Sequence, residues 1–182
     1  DSADIRKNVV SLAKQLGYTP TSVVSPQAIV DVTVNNVPTG TASITMAKGT
    51  IFGTTIGQIN YNYITNEAIT ITPSDGVYKF SNVTLFDGTA VNFQYTVDSS
   101  DVDQKFTIPS NLADTSTLKV KVQNSSSDTT TSTFTKSQTL TEIDSTSKVY
   151  FLQEQDDGRF EVYFGDGVLG KAVEDGNIII LE

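Results

Sequence analysis

The stretch with the greatest capacity for chemistry is YFGDGVLGKAVEDGNIII, residues 163–180, where two Asp-Gly pairs and two further glycines stand beside an aliphatic run. Three uses suit such a set: a phosphate cradle of backbone amides, a calcium loop of carboxylates, or no chemistry at all, the glycines only turning the chain. The spacing Gly165-x-Gly167-x-x-Gly170 follows a strand-like run but opens no helical pattern, and Glu174-Asp175-Gly176 turns the chain again soon after. The context of a dinucleotide-binding fingerprint is missing, and no Gly-x-x-x-x-Gly-Lys-Ser/Thr is present. For calcium, Asp156, Asp157, Asp166 and Asp175 supply oxygens. Counting twelve positions from Asp101, Asp156, Asp157 or Asp166 does not reproduce the alternating ligands and closing Glu of an EF-hand. Structural turns are the better account, and Asp157, Gly158, Gly165, Asp166, Gly167, Gly170 and Gly176 are expected to form them.

The remaining chemistry is limited by composition. The chain has no cysteine and no histidine, which removes disulfides, thiolate catalysis, the usual zinc ligand sets and a Ser-His-Asp triad. Paired carboxylates for glycoside hydrolysis can be nominated, but they sit on predicted turns with no sign of an apolar pocket to raise one pKa. There is no tryptophan for a sugar platform. Tyr61, Tyr63 and Tyr78 would form either an exposed binding patch or half-buried cross-strand partners, the commoner role of strand tyrosines. The expectation is a non-enzyme with no catalytic residues, no metal site and no cofactor.

Charge narrows the partners. Twelve basic against twenty-one acidic residues give a net charge of −9, which argues against general nucleic-acid binding, since that depends on neutralising phosphates. The imbalance is local: from Glu142 onward ten acids face three bases, whereas the first 141 residues carry eleven acids and nine bases. That acidic tail reads either as a solvated face or as a docking surface for a basic partner. No apolar run approaches the ~20 residues that cross a bilayer, so no membrane partner is expected. The chain begins at Asp1 without methionine and stops inside an aliphatic run, and is read as a piece of a longer polypeptide.

The elements that must position these residues are mostly strands. One helix is expected at the start, where Ile5, Val9, Leu12, Ala13 and Leu16 make an apolar stripe of 3.6-residue period. Ser2 would cap it, Asp4 suits its first turn, Lys14 its last, Gly17 its end, and Pro20 forbids resumption. Thereafter the pattern has period two: Val30, Val32 and Val34; Val91, Phe93, Tyr95 and Val97; Leu118, Val120 and Val122; Phe160, Val162 and Phe164. Thr, used 26 times, favours strands and turns over helices.

Asp-Gly occurs five times, at 75–76, 87–88, 157–158, 166–167 and 175–176, a hairpin signal because both residues tolerate the positive φ of a type I′ turn. VYFLQEQ, a turn at 156–158 and RFEVYF predict a hairpin. GTIFGTTIG, 49–57, reads as an irregular loop or a bulged strand. NSSSDTTTSTFTKSQTLT, 124–141, has twelve Ser or Thr in eighteen residues; of linker and exposed edge strand behind a mobile loop at 125–130, the second is preferred. The predicted fold is mainly β, formally α+β: antiparallel, sandwich-like, with one N-terminal helix. The helix and first strand, 1–34, are expected to pack with the C-terminal hairpin region, 142–182, around a β-rich middle domain, 35–141.

Three passages carry a family resemblance. VYFLQEQDDGRFEVYFGDGVLGKAVEDGNIIIL (149–181), the segment from Ile5-Arg6 through Gly17-Tyr18-Thr19-Pro20 to Ser25, and IPSNLADTSTLKVKV (108–122) occur in order. Together they resemble the gene-product-six family of baseplate wedge proteins of T4-like contractile-tail bacteriophages, and more broadly the baseplate-J-like family. The resemblance implies a structural wedge subunit of the tail baseplate, assembled in the bacterial cytoplasm and carried in the virion. It implies pairing with itself, as a dimer or ring in the full-length protein, and binding to other wedge subunits and sheath-proximal tail proteins. It also implies rearrangement when the sheath contracts, and it brings no catalytic residues. The alternative class is a receptor- or glycan-binding β-sandwich module of a phage tail fibre or bacterial adhesin.

Overall fold

A computed structural model describes residues 8, 9, 12, 21–137 and 142–182. Among the described residues thirteen strands follow one another: β1 Gln27–Val34, β2 Ile44–Met46, β3 Ile51–Ile56, β4 Ile59–Thr65, β5 Ile69–Ile71, β6 Tyr78–Asp87, β7 Phe93–Thr96, β8 Phe106–Ile108, β9 Val120–Gln123, β10 Thr131–Lys136, β11 Val149–Glu154, β12 Phe160–Phe164 and β13 Ile178–Leu181. They divide between two compact units, one of residues 25–91 and one joining 92–182 to the described part of 1–24.

In the larger unit seven strands form one sheet, ordered β7-β13-β9-β10-β11-β12-β8. The alternation that marks its strands delivers Val120 and Val122, Tyr150 and Leu152, Phe160 and Val162, and Ile179 and Leu181 to one buried cluster, joined by Phe106, Ile108 and Phe134. Burial of a side chain of this size contributes about 2 kcal/mol, so this shared face is what holds the sheet. Edge-to-face ring pairs stitch it further: Tyr95 to Phe106 at 5.9 Å, Phe106 to Phe164 at 5.8 Å and Phe134 to Phe164 at 5.3 Å. The first of these joins the two outermost strands, so the sheet curls until its ends meet. The smaller unit has a four-stranded antiparallel sheet, β1-β6-β4-β3, and the pair β2-β5, packed around Met46, Phe80, Val83 and Leu85.

The predicted α+β class is corrected to all-β. No helix enters the element order among the described residues. Most of the expected helix lies outside the described residues; Asn8, Val9 and Leu12 are helical in the backbone but form no element. Val9 and Leu12, meant to face the core, are 47% and 60% exposed. Their 3.6-residue spacing measures a helix's own amphipathicity and says nothing about a surface to receive it. The sandwich-like layout is also replaced, because the large sheet closes toward itself. Nor is it wholly antiparallel: β10 runs parallel to β11 through Thr135↔Val149 and Lys136↔Tyr150.

Two local expectations change as well. GTIFGTTIG contains a regular strand, β3, in register with β4 from Ile51↔Ile64 to Ile56↔Ile59. Gly57 at φ 66° opens the two-residue turn between them, where its missing Cβ is needed. The Ser/Thr-rich segment holds β10, but as an internal strand between β9 and β11. The turn before it is hydrogen-bonded: the Asn124 amide donates to Thr130 O at 3.0 Å and Ser125 to Asp128 O at 3.1 Å. Residues 138–141 lie outside the described ones.

Candidate protein-interaction surface

The Asp-Gly turns differ in construction. Between β11 and β12, the Gly158 amide donates to Gln155 O at 3.0 Å and the Gln155 amide to Arg159 O at 2.7 Å. Gly158 has φ 81° whereas Asp157 is not in the positive-φ region. This is a three-residue loop ending in a glycine bulge, not a type I′ turn. Only Asp75-Gly76 has both residues at positive φ, 51° and 77°, closing the Ser74↔Val77 bridge. Asp157 is occupied locally: its Oδ1 accepts the Arg159 amide at 3.0 Å and its Oδ2 lies 2.6 Å from Arg159 Nη2. The Arg159 hydrogen bonds hold its carboxyl below the usual range.

The loop after β12 is tighter. Asp166 Oδ1 accepts the amides of Val168 and Leu169, both at 2.9 Å, and these two bonds lower its pKa. The Gly167 amide donates to Gly170 O at 3.0 Å. The loop is then tied to the turn before β11, Gly170 N to Asp144 O at 3.0 Å and Lys171 N to Ser147 O at 2.8 Å. That turn is itself braced, since Asp144 Oδ1 accepts from Thr146 N at 2.9 Å and Ser147 Oγ at 2.8 Å. A Cβ on Gly165 would lie 2.2 Å from Leu169 O and 2.4 Å from Gly170 O, inside any tolerable contact. Gly170, at φ 87°, would set a Cβ 3.0 Å from Val149 Cγ2.

Four amides of this loop, those of Gly167, Val168, Leu169 and Gly170, are therefore spent on its own carboxylate, on Gly170 O and on Asp144 O, which is the reverse of a phosphate cradle. Gly176 belongs to a further turn, with Asn177 N donating to Glu174 O at 3.0 Å and Gly176 N to Val97 O at 2.9 Å. Asp175 accepts the Ser99 amide at 2.9 Å and Asp101 the Asp103 amide at 3.1 Å. Among the described residues no three acidic side chains gather in a way that could hold a metal ion. The acidic tail is partly balanced in place, Lys121 Nζ lying 2.9 Å from Glu182 and Lys105 Nζ 3.8 Å from Glu161.

What the second loop presents to solvent is apolar. Val168 is 72% exposed and Leu169 42%, on a backbone fixed by the bonds above. Sequence reading missed this pair because it treated the glycines as the message; the signal was two aliphatic residues framed by four turn-formers. Of the tyrosines, Tyr78 is buried and donates its hydroxyl to Thr41 O, and Tyr63 packs on the smaller core. Tyr61 is half-buried opposite Thr54, while Ile56 and Ile59, 64% and 59% exposed, stand at the tip of the β3–β4 hairpin. Preorganised apolar groups on fixed backbone suit macromolecular contact, since little ordering remains to be done on binding.

No curated protein matches the chain. The family model described as bacteriophage baseplate wedge protein gp6, third domain, matches residues 91–180, just under half of the chain and nearly all of β7–β13, so the larger unit is similar to a structural domain of a phage tail baseplate.

Proposed function

We propose that the chain is a non-enzymatic wedge component of a contractile-tail baseplate, within the broader baseplate-J-like family, that associates with itself and binds other wedge and sheath-proximal tail proteins. Its place is the virion tail, after assembly in the bacterial cytoplasm. The match over residues 91–180 carries this reading. The fixed Gly165–Gly170 loop supports it, because it holds Val168 and Leu169 outward, where a partner would cover them. On this reading Asp157, Gly158, Gly165, Asp166, Gly167, Gly170 and Gly176 serve to shape backbone, and no cofactor is involved.

Coexpression of the chain with the tail proteins encoded beside it tests the proposal. The expected result is a complex that survives size-exclusion chromatography, with no response on a glycan array. A Val168→Asp, Leu169→Asp double variant should keep its thermal midpoint and lose the complex. Selective glycan binding by the chain alone, without co-assembly, would sink the proposal in favour of a receptor module.

A further inference from the structure

The two large sheets have four edges, and three of them are closed to an incoming strand. In the seven-stranded sheet β7 and β8 cover one another: the Tyr95 hydroxyl donates to Thr107 O, and Gln104 Nε2 donates to Thr96 O at 2.8 Å. In the four-stranded sheet β1 is broken by a bulge between Val30 and Val32, and carries Asp31 in a 2.6 Å salt bridge to Lys79. Pro26 stands immediately before it. Bulges, charges and proline are the ordinary means of keeping an edge from pairing.

The fourth edge, β3, has none of these. From Gly49 to Asn66 there is no charged residue and no proline, although the chain as a whole carries −9. β3 is six residues long, regular, and last in its sheet. The Thr65 amide donates to Thr50 O at 3.2 Å, and the alternation of an antiparallel ladder then assigns the even-numbered residues of β3 to β4. The amides and carbonyls of Ile51, Gly53 and Thr55 point away from the sheet. Gly53 adds a second clue. Its φ is not in the left-handed region, and a Cβ there would meet only Asn62 Oδ1 at an ordinary 3.7 Å. One chain's fold does not require glycine at this position, and glycine inside a strand often marks the close approach of another backbone.

The geometry points to a second copy of this chain as the occupant of that edge, β3 pairing antiparallel with its twin about a two-fold axis at Gly53. The inference rests on the self-association proposed above and assigns it a surface. In this register Gly53 faces Gly53, Ile51 faces Thr55, and each outward amide meets an outward carbonyl, as an isologous contact requires. The charge-free hairpin lets two acidic chains meet without opposing like charges, and it offers nothing to a partner chosen by charge.

Sedimentation velocity of the whole chain, from dilute to concentrated solution, tests the assignment. The parent should rise to twice 19.6 kDa, while Gly53→Pro and Ile51→Lys stay at the mass of one chain with unchanged thermal midpoints. Proline is compatible with an edge position whose N–H faces outward. If Gly53→Pro fails to fold, Ile51→Lys and hydrogen exchange decide: the amides of Ile51, Gly53 and Thr55 must gain protection as the parent is concentrated, and absence of that gain overturns the assignment. A parent that stays single at every concentration overturns both the edge and the self-association. A paired parent whose variants also pair overturns the edge alone, and co-assembly with tail proteins is unaffected by either result.

Discussion

The turn at Gln155–Arg159 and the loop at Gly165–Gly170 share the dipeptide Asp-Gly and little else. In the first, a Cβ on Gly158 would meet nothing within 4 Å, and every bond is between near neighbours. In the second, Gly165 is pressed against the carbonyls of Leu169 and Gly170, and the loop is fastened to Asp144 and Ser147 across a long stretch of sequence. The difference separates two reasons for glycine. One is a torsion angle that other residues dislike; the other is space that other residues would fill.

Gly165→Ala should have the largest effect, because the added methyl must displace backbone at both contacts. A loss of about 3 kcal/mol is expected, read as a lower denaturation midpoint at unchanged slope. Unchanged stability would mean that the loop is not so closed. Gly158→Val and Gly167→Val should each cost about 1 kcal/mol through strain at positive φ alone. If either matched Gly165→Ala, the distinction between torsion and space would collapse.

Smaller still is Asp166→Ala, which removes the acceptor for Val168 and Leu169. Their amides should exchange faster with solvent while the β11–β12 hairpin is untouched, a contrast that hydrogen exchange can read. The gentlest probe is pH. Asn124 and the Thr130 amide hold the Asp128 carboxyl down to about 2, and Asp157 and Asp166 are also lowered. A group whose folded pKa is depressed adds stability above its unfolded pKa and loses it as pH falls through the folded one. Stability should therefore be level at neutral pH and decline below about pH 4. A Asp128→Asn variant should lose part of that decline, measured as thermal midpoint against pH.

The β11–β12 hairpin was legible because its alternation and its turn are neighbours in sequence. So were the core faces of β9 and β12. Other features were hidden for a common reason. Thr131, Thr133 and Thr135 are exposed while Phe134 is buried, a pattern that was read as an edge strand. Alternation reports which face of a strand meets the core; it is silent on how many strands lie beside it, and β10 has two. The pairing of β1 with β6 and the parallel contact of β10 with β11 likewise join segments whose relation leaves no local mark. The Val168–Leu169 knob was overlooked on similar grounds, since its rigidity comes from Asp144 and Ser147 rather than from the loop's own composition.

The parallel contact of β10 with β11 has a mechanical consequence. Among the described residues it is the only strand ladder between the half of the large sheet that holds β7, β13, β9 and β10 and the half that holds β11, β12 and β8, and it is two residue pairs long; on the far side the halves meet only through side chains, Tyr95 to Thr107 O and Gln104 to Thr96 O. Force drawn across that line would meet fewer ladder pairs than at any other pairing of neighbouring strands in the sheet. It would tear there first, with the ring contacts of Phe134 and Phe164 as the stitches that give way last.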